Sequence, residues 1–278
     1  MRIGQRVAVV TGGASGIGRS LCLALAEAGA EAVVVADVDG EGAAAVAATI
    51  EAGGHRALAV TADVARPADV EALVAAAQDA FGRIDLLCSN AGIIVGGGVE
   101  VTDEAWSRIW AINVQSHVYL ARAVLPGMLA RGEGYLVYTA SAAGLLTQLG
   151  SAPYAVTKHA VVALAEWLSI TYGDQGIAVS CLCPQAVSTN LGATSLREVG
   201  HGGTPATWSE RGASAQAAVD GVLTADEVAA CVIEAIADER FLILPHPEVA
   251  TYERRRAEDR ERWLRGMRRL QAQLSEGR

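Results

Sequence analysis

The sequence predicts a doubly wound α/β protein, a parallel sheet of about seven strands with helices on both faces. Two observations carry this. Short runs such as "AVVVAD" are apolar at consecutive positions, as strands covered on both faces are, and they alternate with longer Ala- and Leu-rich segments. The alternation continues without a break in composition to about residue 250, which predicts one domain over residues 1–250 and a helical extension over 251–278. With 278 residues, 51% of them hydrophobic and 19% charged, the chain can bury a large core.

In chain order, the expected strands are 6–12, 31–38, 56–64, 84–92, 134–141, 177–184 and 241–245. Helices are expected over 17–29, 40–52, 67–81, 103–131, 154–173 and 224–238. Pro67 suits a first helical position, and Thr224 with Glu227 spells a capping box. Residues 190–223, rich in Gly, Ser, Thr and Ala and without period, read as a lid over a site. The tail 251–274 reads as one amphipathic helix, with Trp263, Met267, Leu270 and Leu274 on a narrow stripe that packs on its own body or a neighbouring subunit.

Composition removes several classes of function. A net charge of −9 argues against a nucleic-acid binder. The opening "MRIGQRVAVVTGG" lacks a signal-peptide pattern, and no apolar run is long enough for a membrane span, so a cytoplasmic protein is expected. The five cysteines (Cys22, Cys88, Cys181, Cys183 and Cys231) sit among apolar neighbours and read as buried, reduced, structural thiols. Cys181 and Cys183 share one strand face, but no second cysteine or histidine pair accompanies them, and no metal site is expected.

The first strand runs into "TGGASGIG", with Gly12, Gly16 and Gly18 at the strand-to-helix turn. Glycines there allow positive φ and close approach of a ligand, and the helix N-terminus offers N–H groups to a phosphate. Asp37 lies 19 positions beyond Gly18, at the end of the second strand, where a carboxylate can accept from a ribose diol. The same carboxylate would repel a 2′-phosphate by roughly 1–4 kcal/mol. Ala36, Val38, Asp39 and Ser15 offer no cation to offset it, so NAD(H) is favoured over NADP(H).

In "SAPYAVTKHA", Tyr154 and Lys158 stand four apart and share a helix face. A free phenol titrates near about 10, too high for a base at neutrality, and a nearby ammonium favours the phenolate. Ser141, after the fifth strand, can donate to a substrate oxygen. Taken alone, Tyr154 reads as a helix-start aromatic and Lys158 as a solvated neighbour. His159 points to another helix face, His117 reads as core or interfacial, and Trp106, Trp110 and Trp167 read as core or subunit contacts.

Taken together, "TGGASGIG", "NAG" at 90–92, Ser141 and the Tyr154–Lys158 pair resemble the short-chain dehydrogenase/reductase family, over residues 6 to about 190 and again at 241–245. The resemblance implies a Rossmann-type fold and reversible hydride transfer between NAD(H) and a secondary alcohol or ketone. It implies that Gly12, Ser15, Gly16, Ile17 and Gly18 cradle the phosphates, that Asp37 holds the ribose, and that Asp63 and Val64 meet the adenine. Asn90, Ala91 and Gly92 would pass beneath the cofactor, while Pro184, Val187 and Thr189 would meet its nicotinamide end. Asn113 would support a water relay to Lys158, with Ser141, Tyr154 and Lys158 as the reacting centre. Homo-oligomers, tetramer or dimer, built on 103–131 and 154–173 are implied as well. Gln185 departs from the family's glycine after Pro184, and its side chain is expected in the substrate pocket. Residues 142–149, with Ala143, Leu145, Leu146 and Leu149, would bound that pocket together with Gln185, Leu191 and the lid, for a largely apolar substrate. Two other readings stay open: an NADPH-dependent ketone reductase of the same fold, and a dinucleotide-binding regulatory protein without turnover. An epimerase would want another glycine spacing, and a methyltransferase would not need the Tyr–Lys pair.

Overall fold

Each short apolar run becomes a strand of one seven-stranded parallel sheet in a computed structural model that describes residues 1–192, 195 and 220–275. The strands are β1 (Val7–Thr11), β2 (Ala32–Asp37), β3 (Ala57–Thr61), β4 (Leu86–Ser89), β5 (Gly134–Thr139), β6 (Ile177–Leu182) and β9 (Leu242–Ile243), in the order β3-β2-β1-β4-β5-β6-β9. A minor parallel pair joins β7 (Val187–Ser188) to β8 (Leu223–Thr224). Period-two alternation splits the buried side chains into two layers. Val9, Val34, Leu87 and Leu136 face one, and Ala8, Val33, Leu86 and Tyr135 the other.

Helices α1 (Gly16–Glu27), α2 (Gly40–Ala52) and Ala225–Asp238 cover the second layer. Helices α3 (Pro67–Phe81), α5 (Ser116–Arg131) and α7 (Ala152–Tyr172) cover the first. Pro67 stands in the first turn of α3, and Thr224 and Glu227 complete their capping box, the Thr224 hydroxyl accepting from the Glu227 amide at 3.2 Å. Strand order reverses between β1 and β4, so the loops after β1, β4, β5 and β6 open on one crevice at the carboxyl ends of the strands.

Three expectations change. The helix expected over 103–131 is α4 (Asp103–Trp110), a π-turn (Ala111–Gln115) and α5. The π-turn turns Asn113 inward, where its side chain binds Ile93 and Thr157. The tail is two helices, Glu248–Glu258 and Arg260–Ser275, because the Asp259 carboxylate takes the Arg262 amide at 2.8 Å and starts a new helix. Tyr252 and Trp263 of these helices pack against the chain's own core. Cys22, Cys88, Cys181 and Cys183 are buried, but Cys231 is only half-buried. Most of the expected lid lies outside the described residues. Among the described residues no helix is long and apolar enough to cross a membrane.

At the opposite end of the sheet, Asp85 is fully buried and joins three strands. Its carboxylate accepts from Val7 N at 3.0 Å and from Arg83 Nε at 2.6 Å, and its carbonyl takes the Tyr135 amide at 2.9 Å. Asp85→Ala orphans the Val7 amide and removes the carboxylate that Arg83 Nε binds, a loss of about 2–3 kcal/mol. A fall in Tm of roughly 5–10 °C by scanning calorimetry is expected.

Candidate active site

The β1–α1 turn packs closely against other parts of the chain. Gly12 and Gly16 have φ of +67° and +51°, and a Cβ on Gly12 would stand 2.9 Å from Ala91 Cα. At Gly18 the constraint is internal, since a Cβ would come within 2.0 Å of Gly12 O. Ser15 caps α1 in extended backbone without using its side chain, and the first turn carries no acid. The helix start therefore presents its N–H groups and positive dipole end uncompensated, which suits a pyrophosphate. Asp37 reaches the same crevice from β2. Its Oδ2 accepts from Ala14 N and its Oδ1 from Asp39 N, each at 3.0 Å. A carboxylate has about four acceptor sites, so two remain for a diol. The residues present fit a dinucleotide.

Across the reversal point, Asn90 ties the strand ends together. Its Nδ2 donates to Thr11 O at 3.1 Å, and its Oδ1 accepts from Thr139 Oγ1 at 3.0 Å. Thr11 Oγ1 in turn accepts the Asn90 and Ala91 amides at 3.0 and 3.2 Å. Lys158 Nζ donates to the carbonyl of Thr139 at 2.8 Å and lies 5.6 Å from the centre of the Tyr154 ring. Ser141 caps α6 (Ala142–Leu146), its Oγ accepting from Ala143 N at 3.1 Å and donating to Pro184 O at 3.3 Å. Two elements, the start of α6 and helix α7, thus bring a hydroxyl, a phenol and an ammonium to one wall.

Burial decides the electrostatics of that wall. Lys158 is 3% exposed, and desolvation lowers its pKa to about 8, against a smaller upward pull from Cys181 and Cys183. Desolvation also pushes the Tyr154 phenol above its ordinary value, with the Ser141 hydroxyl drawing it back. In the protein without its cofactor, burial therefore outweighs the downward pull on the Tyr154 phenol.

Most of the expected residues line the crevice: Gly12, Ser15, Gly16, Ile17, Asp37, Asp63, Val64, Asn90, Ala91, Gly92, Ser141, Tyr154, Lys158, Pro184, Gln185, Val187, Thr189 and Leu191. Gly18 and Asn113 lie behind it. Asn113 is fully buried, takes the Ile93 amide at 2.8 Å and donates to Ile93 O and Thr157 Oγ1. It braces the β4 loop against α7, with no direct hydrogen bond to Lys158 among the described residues. Ala143 and Leu149 do not line the crevice. Ala143 is buried in the cluster beneath Tyr154, and Leu145 and Leu146 belong to the main core because α6 turns that face onto α7. Sequence reasoning missed Arg108, whose Nη1 donates to Asp63 Oδ2 at 3.3 Å beside the pocket, and Thr139. Thr139 stands two residues before Ser141; nothing local marks Arg108, whose partner is 45 positions away.

His117 and His159 stand apart from the chemistry, as expected. His117 is buried, with Nδ1 2.5 Å from Ser89 Oγ, and desolvation lowers its pKa to about 3. His159 donates from Nδ1 to Ala155 O at 2.8 Å. Cys181 and Cys183 Sγ stand 3.8 Å apart, and among the described residues no cluster could hold a metal ion.

For a lysine with a lowered folded pKa, the charged form costs stability at any pH below about 8, and the cost fades as pH rises towards the unfolded value of 10.5. Lys158→Met is therefore expected to raise unfolding stability at pH 7 by denaturant titration, with the gain shrinking between pH 8 and 10.5. A gain independent of pH would count against the desolvated lysine.

The comparisons with known proteins agree with this geometry. A family model described as short chain dehydrogenase matches residues 6–199. A 1-deoxy-11-beta-hydroxypentalenate dehydrogenase of Streptomyces exfoliatus is 39% identical over 254 residues, covering 89% of this chain and 86% of that protein. A cyclohexanol dehydrogenase of Acinetobacter sp. strain SE19 is 36% identical over 192 residues, covering 68% and 76%. The crystal structure of a short chain dehydrogenase/reductase from Burkholderia phymatum in complex with NAD is similar at a TM-score of 0.85, with 35% identity, covering 94% of this chain and 96% of that one. With the glycine turn, the Asn90 stitch and the Ser141, Tyr154 and Lys158 wall on one crevice, the chain belongs to the short-chain dehydrogenase/reductase family.

Proposed function

We propose that this protein catalyses the reversible NAD-linked oxidation of a secondary alcohol to a ketone in the cytoplasm, with Tyr154 as general acid/base. The observation that carries the reading is the convergence of Ser141 Oγ, Tyr154 and Lys158 on the crevice that Asp37 and the glycine turn also line. When bound, oxidised dinucleotide supplies the hydride acceptor and a positive ring that favours the phenolate of Tyr154. Ser141 turns its proton from Pro184 O towards the substrate oxygen and holds it against the phenol. Tyr154 takes the hydroxyl proton as the carbon loses hydride. Lys158, fixed on Thr139 O, keeps one cation beside the phenol and retains N–H groups for a ribose. Gly12, Ser15, Gly16, Ile17 and Gly18 would form the phosphate cradle. Asp63 and Val64 would meet the adenine, with Arg108 fixing Asp63, and Pro184, Val187 and Thr189 would bound the nicotinamide end.

Asp37 is the ground for NAD over NADP, since the residues around its carboxylate (Ala14, Ser15, Val38 and Asp39) bring no cation. Ile93, Val187 and Leu191 near Tyr154 favour a largely apolar substrate, with Gln185 as a polar contact. The alicyclic alcohols in the names of the two dehydrogenase relatives support starting there. The test is initial rates on alicyclic and aryl alcohols and ketones with NAD(H) and NADP(H) in parallel. NAD-linked turnover should fall at least about 10³-fold in Tyr154→Phe while NAD still binds. Equal rates with NADP would remove the Asp37 assignment. Because oxidation releases a proton through Tyr154, its rate should rise with pH and the reverse rate fall.

A homo-oligomer is part of the proposal. The outer face of α7 carries Val156, Trp167 and Ile170 at 47%, 55% and 84% exposure, apolar area that a monomer would leave wet. Ile170→Glu combined with Trp167→Arg should yield a smaller species in sedimentation velocity.

A further inference from the structure

We infer that His246 is a positioning residue for Ser141, acting through the single peptide group between Pro184 and Gln185; the inference rests on the functional reading above. Alternate amides of the chain leaving β6 bind the β9 segment in sequence. Cys181 N donates to Phe241 O at 2.6 Å and Cys183 N to Ile243 O at 2.9 Å. The next amide in that series, Gln185 N, meets an imidazole instead of a carbonyl: it donates to His246 Nδ1 at 3.3 Å. The β9 segment has turned away at Pro245-His246-Pro247, and the ring extends the ladder by one rung.

The other end of the same peptide group is the Pro184 carbonyl. It accepts from Ser141 Oγ at 3.3 Å and from Ala142 N at 2.9 Å. A peptide group is planar, so fixing its N–H fixes the direction of its carbonyl. Among the described residues the Gln185 Oε1 is buried without a partner, so it does not hold the turn. His246 is 2% exposed, and its buried Nε2 likewise finds no partner among them. To accept at Nδ1 the neutral ring carries its proton on Nε2, where the N–H is unsatisfied. That is a cost an apolar side chain in the same space would avoid, and what the imidazole adds is the acceptor for Gln185 N.

The test uses the full-length enzyme and His246→Leu, His246→Asn and Gln185→Gly, alone and with His246→Leu. Asn offers Oδ1 near the place of Nδ1, and Gln185→Gly keeps the backbone N–H. His246→Leu should lower kcat about 10- to 100-fold, as a displaced reacting group does. The NAD dissociation constant, read by fluorescence titration, should stay within about twofold, because no part of the glycine turn is touched. His246→Asn should recover most of kcat, and the His246→Leu penalty should persist in the Gln185→Gly background. Wild-type kcat in His246→Leu, equal losses in Leu and Asn, or a penalty that vanishes with Gln185→Gly would each overturn the inference. If the wild type turns over none of the alcohols, it is the functional reading that fails. Hydrogen exchange at the Gln185 amide then decides the contact: faster exchange in His246→Leu than in His246→Asn supports it, and equal exchange overturns it.

Discussion

Everything at the crevice is indexed on the Asn90 side chain. Where strand order reverses, the ends of β1, β4 and β5 diverge, and backbone groups there have no strand to pair with. Unpaired buried amides and carbonyls are too costly to leave, so a side chain must serve them. Asn90 does so with both ends of its amide, towards Thr11 and Thr139, while Thr11 returns one hydroxyl oxygen to two amides. Thr139 is thereby placed so that its carbonyl can take Lys158. The position of the ammonium is a consequence of how the sheet splits.

The wall of Ser141, Tyr154 and Lys158 is closely packed. A Cβ at Gly92 would press on Asn113 Oδ1 at 3.3 Å and Lys158 Nζ at 3.4 Å, and one at Gly144 would lie 2.5 Å from Lys158 O. Glycine at these two places lets α6 and the β4 loop close on α7, which keeps water away from Lys158. Dry surroundings raise the phenol and lower the ammonium together, so each charged form costs more here than in water.

Much of this was legible in the chain. The strands showed because they are apolar on both faces, and the glycine turn, Ser141, Tyr154 and Lys158 showed because their chemistry depends on local spacing. What escaped depends on partners distant in sequence. The π-turn at Ala111–Gln115 has no residue signature of its own, yet it sets where Asn113 points. Leu145 and Leu146 look alike whether they face a pocket or the core, and only the packing of α6 decides. The break at Asp259 escaped because the apolar stripe runs past it. Arg108 and His246 reach their partners across 45 and 61 positions, with no local mark.

The π-turn also determines which kinds of change this chain can absorb. Deleting any one residue of Ala111–Gln115 would let the segment relax into regular helix. All of Ser116–Arg131 would then rotate by about 100° and slide by about 1.5 Å. Leu120, Val124 and Met128, now in the core, would face elsewhere, and Asn113 would leave Ile93. Substitutions within the turn, Asn113 aside, leave the helix after it in place, whereas a shift in length moves that whole helix. The segment is thus a counted spacer, its number of residues held by the fold.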